Sequence, residues 1–106
     1  MKYRVIAVLS LLFFSLSSSA ADYTVSVCKI QIGLSGKAYL SPCGGWPTKN
    51  QCTANNWLTW DANTKPGQMM YSTALAATAA NKKITLRLNG AVCDHYDVTS
   101  MIRFNI

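Results

Sequence analysis

Four cysteines, Cys28, Cys43, Cys52 and Cys93, fall within 66 consecutive residues, with 14, 8 and 40 residues between them. No pair has the Cys-x-x-Cys spacing, and the chain has one histidine. A zinc site or a thioredoxin-like redox site is therefore not expected. An even number of cysteines in a small exported domain reads as a disulfide framework. Four cysteines allow three pairings. The expected pairing is Cys43–Cys52, closing a surface loop, with Cys28–Cys93 tying the first strand to the last connection.

The N-terminus supplies the argument for export. Met1-Lys2-Tyr3-Arg4 is basic, Val5 to Leu16 is apolar and uncharged, and Ser17 to Ala21 are small. That order reads as a secretory signal peptide over residues 1–21, cut near Ala20 or Ala21. The apolar run is shorter than the roughly 20 residues that cross a bilayer, so no stable membrane anchor is expected. The protein is expected to be secreted or periplasmic. Residues 22–106 remain, 85 in all, enough for one domain whose core alone is marginal. They carry eight Lys or Arg and four Asp, with no Glu, for a net charge of +4. The positive charges are scattered apart from Lys82-Lys83. This suits solubility and mild attraction to anionic surfaces, not a nucleic-acid stripe.

Along the mature chain, Tyr23 to Ile32 alternates apolar and polar residues, but the phase slips after Val27. The spacing predicts a long first strand with a β-bulge or bend near Val27-Cys28. Gly33 to Gly36 is a turn, and Lys37 to Ser41 returns as a strand. Pro42 to Asn56 has two prolines, two glycines and no periodicity, so it is a loop for the cysteines to tie down. Trp57 to Trp60 is a third strand. Pro66 stands where a helix begins, and Gln68 to Ala80 is helical, with Asn81 as a left-handed cap. Met70, Tyr71, Ala74, Leu75 and Ala77 share one helix face. Ile84 to Leu88 and Val98 to Ile106 are the last strands. The predicted fold is mainly β with one helix, ordered β-β-β-α-β-β and held by two disulfides. That is the order of a small OB-fold-like five-stranded barrel. An α+β sheet with the helix across one face is the alternative.

Catalytic chemistry is hard to place. His95 lies between Asp94 and Asp97, as a base oriented by a carboxylate would, but no nucleophile elbow surrounds any Ser or Thr. The four Asp form no recognisable glycosidase pair, and there is no phosphate-cradling glycine loop. The chain is read as a non-enzyme needing no cofactor and no metal. A small hydrolase using His95 ranks last among the readings.

Binding chemistry is richer. Trp46 stands in a Gly-Gly-Trp-Pro loop among Asn50, Asn55 and Asn56. An aromatic face stacks on a sugar ring and amides bond its hydroxyls, so these four are the candidate ligand-binding residues. Trp57 and Trp60 are assigned to the core. The helix's second face, with Ser72, Thr73, Ala76 and Ala80, is small and uncharged. It suits close packing against another subunit.

The segment MMYSTALAATAANKKITLRL, Met69 to Leu88, resembles the helix-into-strand segment of OB-fold B subunits of AB5-type bacterial toxins, with subtilase-cytotoxin and typhoid-toxin B subunits nearest. The shared features are a Tyr-bearing small-residue helix, a short polar turn and a basic-apolar strand. About twenty residues carry the likeness. It implies a homopentamer, helices lining a central channel, and a host-surface glycan as ligand. It assigns no sugar-contacting residue here. The competing reading is a monomeric secreted or periplasmic module that binds or inhibits a protein.

Overall fold

The computed structural model describes residues 21–105. The expected signal peptide, apart from Ala21, lies outside them, as does Ile106. The elements are β1 (Asp22–Val25), β2 (Val27–Ile32), β3 (Lys37–Pro42), β4 (Leu58–Asp61), α1 (Lys65–Ala79), β5 (Ile84–Asp94) and β6 (Tyr96–Phe104). The described residues are mainly β with one helix. Among the described residues no helix is long and apolar enough to cross a membrane.

All six strands join one sheet in the order β1-β5-β6-β4-β3-β2. Five strands were expected. The difference arises in the first of them, which the chain splits at Ser26. Its two halves then serve opposite edges: β1 pairs with β5 and β2 with β3. The two edges of the sheet are thus one residue apart in the chain, which forces the sheet to curl. The phase slip has the cause expected of it, because the register shifts between Val27 and Lys29. Cys28 is the extra residue.

The disulfides are Cys28–Cys43 and Cys52–Cys93, with Cα–Cα distances of 4.8 and 5.6 Å. The expected pairing is therefore corrected. Antiparallel β2 and β3 bring their open ends together, so Cys28 faces Cys43 and not the end of β5. Cys93 is left to meet Cys52 in the long loop.

The core lies on one side of the sheet. On β3, Ala38, Leu40 and Pro42 are buried while Lys37, Tyr39 and Ser41 alternate outward. Leu58 and Trp60 of β4 join them inside, as do Ile84, Leu86 and Leu88 of β5. On β6 the inward set changes parity. Asp97 and Thr99 are buried, then Ile102, because Ser100 is an extra residue opposite Arg87-Leu88.

Thr64 caps α1 by accepting from the Gly67 amide at 3.0 Å, Pro66 occupies the first turn, and Asn81 takes φ 57 beyond the last turn. The helix buries Gly67, Ala74 and Ala77 and leaves Leu75, expected inside, 42% exposed. Gly67 sits where the helix starts against the end of β4. Trp60 Nε1 donates to its carbonyl at 2.9 Å, and a Cβ there would collide with the Asp61 carbonyl oxygen. Gly67→Ala should therefore destabilise by about 1–3 kcal/mol in urea titration, although alanine is the better helix former by about 1 kcal/mol. A gain in stability would show that the close approach is not real.

Candidate functional site

The loop between β3 and β4 crosses the open end of the sheet. Asp97 organises it. This carboxylate is 1% exposed. Its Oδ2 accepts from Trp46 Nε1 at 2.9 Å and from the Lys49 amide at 2.8 Å. Its Oδ1 accepts from the Thr48 hydroxyl at 3.0 Å and the Asn50 amide at 3.1 Å. Four donors converge on four lone pairs, which is how a buried carboxylate is made tolerable.

The residues first singled out as ligand-binding are spent on this construction. Trp46 is 4% exposed, meets Tyr23 edge to face at 5.3 Å, and offers no ring face to a ligand. Lys49 lies over both rings. Asn55 Oδ1 accepts from the Thr48 amide at 2.9 Å, and Asn56 Oδ1 lies 3.5 Å from the Trp46 amide. Asn50 Nδ2 is buried without a partner among the described residues. Burial of Trp46 is a correction: an indole N–H needs an acceptor when buried, and Asp97 supplies it. Cys52 Sγ and Cys93 Sγ lie close to Asp97, but the two sulfurs are bonded to each other, so the group holds no pair of thiolates for a metal.

The exposed aromatic chemistry lies elsewhere, on the outer face of the sheet. Tyr39 is outward by the alternation of β3. Trp57 precedes β4 and has the outward parity of Thr59, opposite to Leu58 and Trp60. Tyr96 opens β6. Tyr39 contacts Trp57 at 6.4 Å between centroids and Tyr96 at 6.0 Å, both at nearly right angles. His95 continues the series, 5.0 Å from Tyr96 and again perpendicular. Three of the rings are half-buried and His95 is exposed. Thr59, between the tyrosine-bearing strands, is buried although it faces outward, so the rings form the surface here. At the other margin, Gly33 lies beside the Tyr39 ring, where a Cβ would sit 3.8 Å from Cε2. Leu34 follows at the tip of the turn, fully exposed.

Polar groups rim this strip. Lys37, next but one to Tyr39 on the same face, forms an ion pair with Asp94 at the end of β5. Asp94 holds the Lys37 ammonium above the ordinary lysine range, and Tyr39 and Asp61 add to the effect. His95 sits alone at the tip between Asp94 and Tyr96, with φ 67. A non-glycine residue in that region costs about 1–2 kcal/mol, and such positions cluster at binding sites. Its carbonyl accepts from the Ala54 amide at 2.9 Å, which ties the hairpin tip to the loop that carries Trp57.

No family model, curated protein or solved structure matches this chain.

No Ser, Thr or Cys nucleophile lies against His95 among the described hydrogen bonds, and its ring instead packs on Tyr96. Aromatic faces with a carboxylate, an ammonium and an imidazole at the rim are groups that hold a hydroxylated ligand. The sequence pattern assigned Trp57 to the core and singled out neither Tyr39 nor Tyr96. Period two was the signal: with Ala38, Leu40, Leu58 and Trp60 inward, Tyr39 and Trp57 must face outward.

The helix leaves a second uncommitted surface. Met69 is 64% exposed. Ser72, Ala76 and Ala80 are exposed on the same side and Thr73 is half-buried. Thr73 directs its hydroxyl back to the Met69 carbonyl at 2.8 Å and is thereby satisfied within the helix.

Proposed function

We propose that this chain is an exported, disulfide-stabilised module that binds carbohydrate on the outer face of a small OB-like barrel. The observation that carries the reading is the strip of Trp57, Tyr39, Tyr96 and His95 beside the Lys37–Asp94 pair. Rings stack on the C–H faces of sugars, and charged groups bond sugar hydroxyls more strongly than neutral ones do. An OB-like barrel is supported by the strand order, by the parallel pairing of β4 with β6, and by a split first strand that serves both edges. In that fold, the face of the second and third strands, with the flanking loops, is where extended ligands lie. Here those parts are β3, β4, the Gly33–Gly36 turn and the Asp94–Tyr96 tip.

The toxin-B-subunit resemblance adds an oligomer to this proposal. The uncharged outer face of α1, with Met69, Ser72, Ala76 and Ala80, suits a subunit contact. Light scattering on a sizing column should then give a defined oligomer, with a pentamer as the toxin-like expectation. The mature, oxidised protein is to be screened on a glycan array. Trp57→Ala should weaken the best glycan about tenfold, the effect of losing one stacked ring and its buried area, while the melting transition stays cooperative. A monomer that binds no glycan would end this reading in favour of a protein-binding module, for which the exposed Leu34 and Ile32 are the first surface to test.

A further inference from the structure

We infer that Asn89-Gly90 is a self-modification site, where the folded protein loses the Asn89 side-chain amide and gains a carboxylate in a bulge of β5. The inference is independent of the carbohydrate reading. The dipeptide belongs to β5, but the sheet does not hold it as a paired strand. Leu88 pairs with Thr99 of β6, and the next pair is Cys93 with Asp97. Asn89, Gly90, Ala91 and Val92 therefore stand opposite one residue, Val98, and none of them has a partner in the register. On the other side, β1 pairs with β5 from Ile84 to Arg87, and the Leu88 amide donates to the Ala21 carbonyl at 3.1 Å. Among the described residues that ladder goes no further, so residues 89–92 are unpaired along both sides.

The reaction needs a main-chain nitrogen that can turn back onto the side chain before it. Hydroxide takes the proton from the Gly90 nitrogen, which attacks Asn89 Cγ. An N–C bond forms, the Cγ–Nδ2 bond breaks, and Nδ2 takes up a proton and leaves as ammonia. Water then adds to either carbonyl of the five-membered imide. Ring opening leaves aspartate or isoaspartate. In a paired strand the attacking N–H is spent on a neighbour and the backbone is fixed extended, so the ring cannot close. Residues 89–92 carry neither restraint. Glycine removes a further obstacle, because a Cβ on the attacking residue crowds the ring. A Cβ built on Gly90 would meet nothing within 4 Å, so the surroundings leave room for the closure. Gly90 also takes φ 58, a conformation that glycine adopts without strain. Asn89 is exposed, so water and hydroxide reach it. No other asparagine is followed by glycine, and Asn55, Asn63 and Asn105 hold their side chains in hydrogen bonds. Isoaspartate lengthens the main chain by one carbon. Inside a ladder that would disturb the register, whereas a bulge without partners has none to lose.

The test is to age the mature, oxidised protein at neutral and at mildly alkaline pH and to follow it by ion exchange and peptide mass mapping. A more acidic species should accumulate, faster at the higher pH. Its amide-to-acid mass change should map to the peptide that holds residue 89, as a mixture of aspartate and isoaspartate. The same chain, reduced and unfolded in guanidinium chloride, gives the rate without any fold. The native rate should lie within about tenfold of it, since an unpaired segment needs little opening free energy. Asn89→Gln should abolish the acidic species, because the longer side chain no longer closes a five-membered ring, and it leaves the Gly90 backbone untouched. Gly90→Ala should slow the reaction by crowding the attacking nitrogen. Deamidation at residue 89 in the unfolded chain but not in the native protein would overturn the inference and show that β5 is locked across the bulge. An acidic species that maps to another asparagine, or that persists in Asn89→Gln, would overturn it as well.

Discussion

Replacing Cys52 and Cys93 together with alanine should lower stability by about 4 kcal/mol. The bridge closes a segment with a sequence separation of 41 residues. In the chain-entropy treatment a closure of that length removes about 4 kcal/mol of freedom from the unfolded state. Cys28–Cys43 spans 15 residues and should be worth about 3 kcal/mol by the same account. A domain of this size has a total stability of about 5–15 kcal/mol, so the double alanine variant sits near the edge of folding. Urea unfolding followed by tryptophan fluorescence measures both losses. The expected order is a larger loss for Cys52–Cys93. The opposite order, or a loss under about 1 kcal/mol, would mean that the bridge joins parts that are already close in the unfolded chain. Peptide mapping without reduction checks the pairing itself. It should yield Cys28 linked to Cys43 and no peptide that links Cys28 to Cys93.

The consequence reaches the binding strip. Cys93 is followed directly by Asp94, His95 and Tyr96, and Cys52 lies in the loop that ends at Trp57. The bridge and the hydrogen bond from the Ala54 amide to the His95 carbonyl at 2.9 Å hold the two sides of the strip together. In the alanine variant, the glycan binding proposed for this strip should therefore weaken even where the fold survives.

What the sequence showed and what it hid follow from the range of each interaction. Alternation within one strand is local, so Ala38 with Leu40 and Ile84 with Leu86 were readable. The helix start at Pro66 and the cap at Asn81 were local as well. The bend near Val27-Cys28 was readable because a slip of one residue leaves its mark in the pattern. The cysteine pairing was not, since it depends on which strands lie side by side. Asp97 was equally hidden. In the sequence it is one Asp two residues after a lone His, and its role appears only when the loop folds back to bring four donors to it. The misassignment of Trp46 follows from Asp97: without a known acceptor for its N–H, a tryptophan in a Gly-rich loop looks like a surface residue. Trp57 failed for the reverse reason. Taken as a strand residue it was given to the core, though the parity of Leu58 and Trp60 placed it outside.

Asp97→Asn should cost about 3 kcal/mol while changing the side chain's shape hardly at all. Both carboxylate oxygens accept two bonds each, so an amide placed either way leaves one position where a donor meets donors. The milder orientation puts Nδ2 at the Oδ1 position. There the Thr48 hydroxyl can turn and accept, but the Asn50 amide is left buried without an acceptor. An orphaned buried donor costs about 1–3 kcal/mol, and the lost charge-assisted bonds add to it. Trp46→Phe removes one donor together with the five-membered ring of a buried indole, so its cost adds a cavity to the lost bond. Cys52 Sγ lies 3.1 Å from Asp97 Oδ1, and the bridge and the carboxylate restrain the same loop. Their losses should therefore not add. With both removed, the total should fall short of the separate effects by at least about 0.5 kcal/mol, the usual size of coupling between neighbours. Urea midpoints of the wild type, the two parents and the combined variant measure that coupling. Strict additivity would show that the loop is held at two independent points. A near-neutral Asp97→Asn would show that the four donors do not converge on this carboxylate in solution.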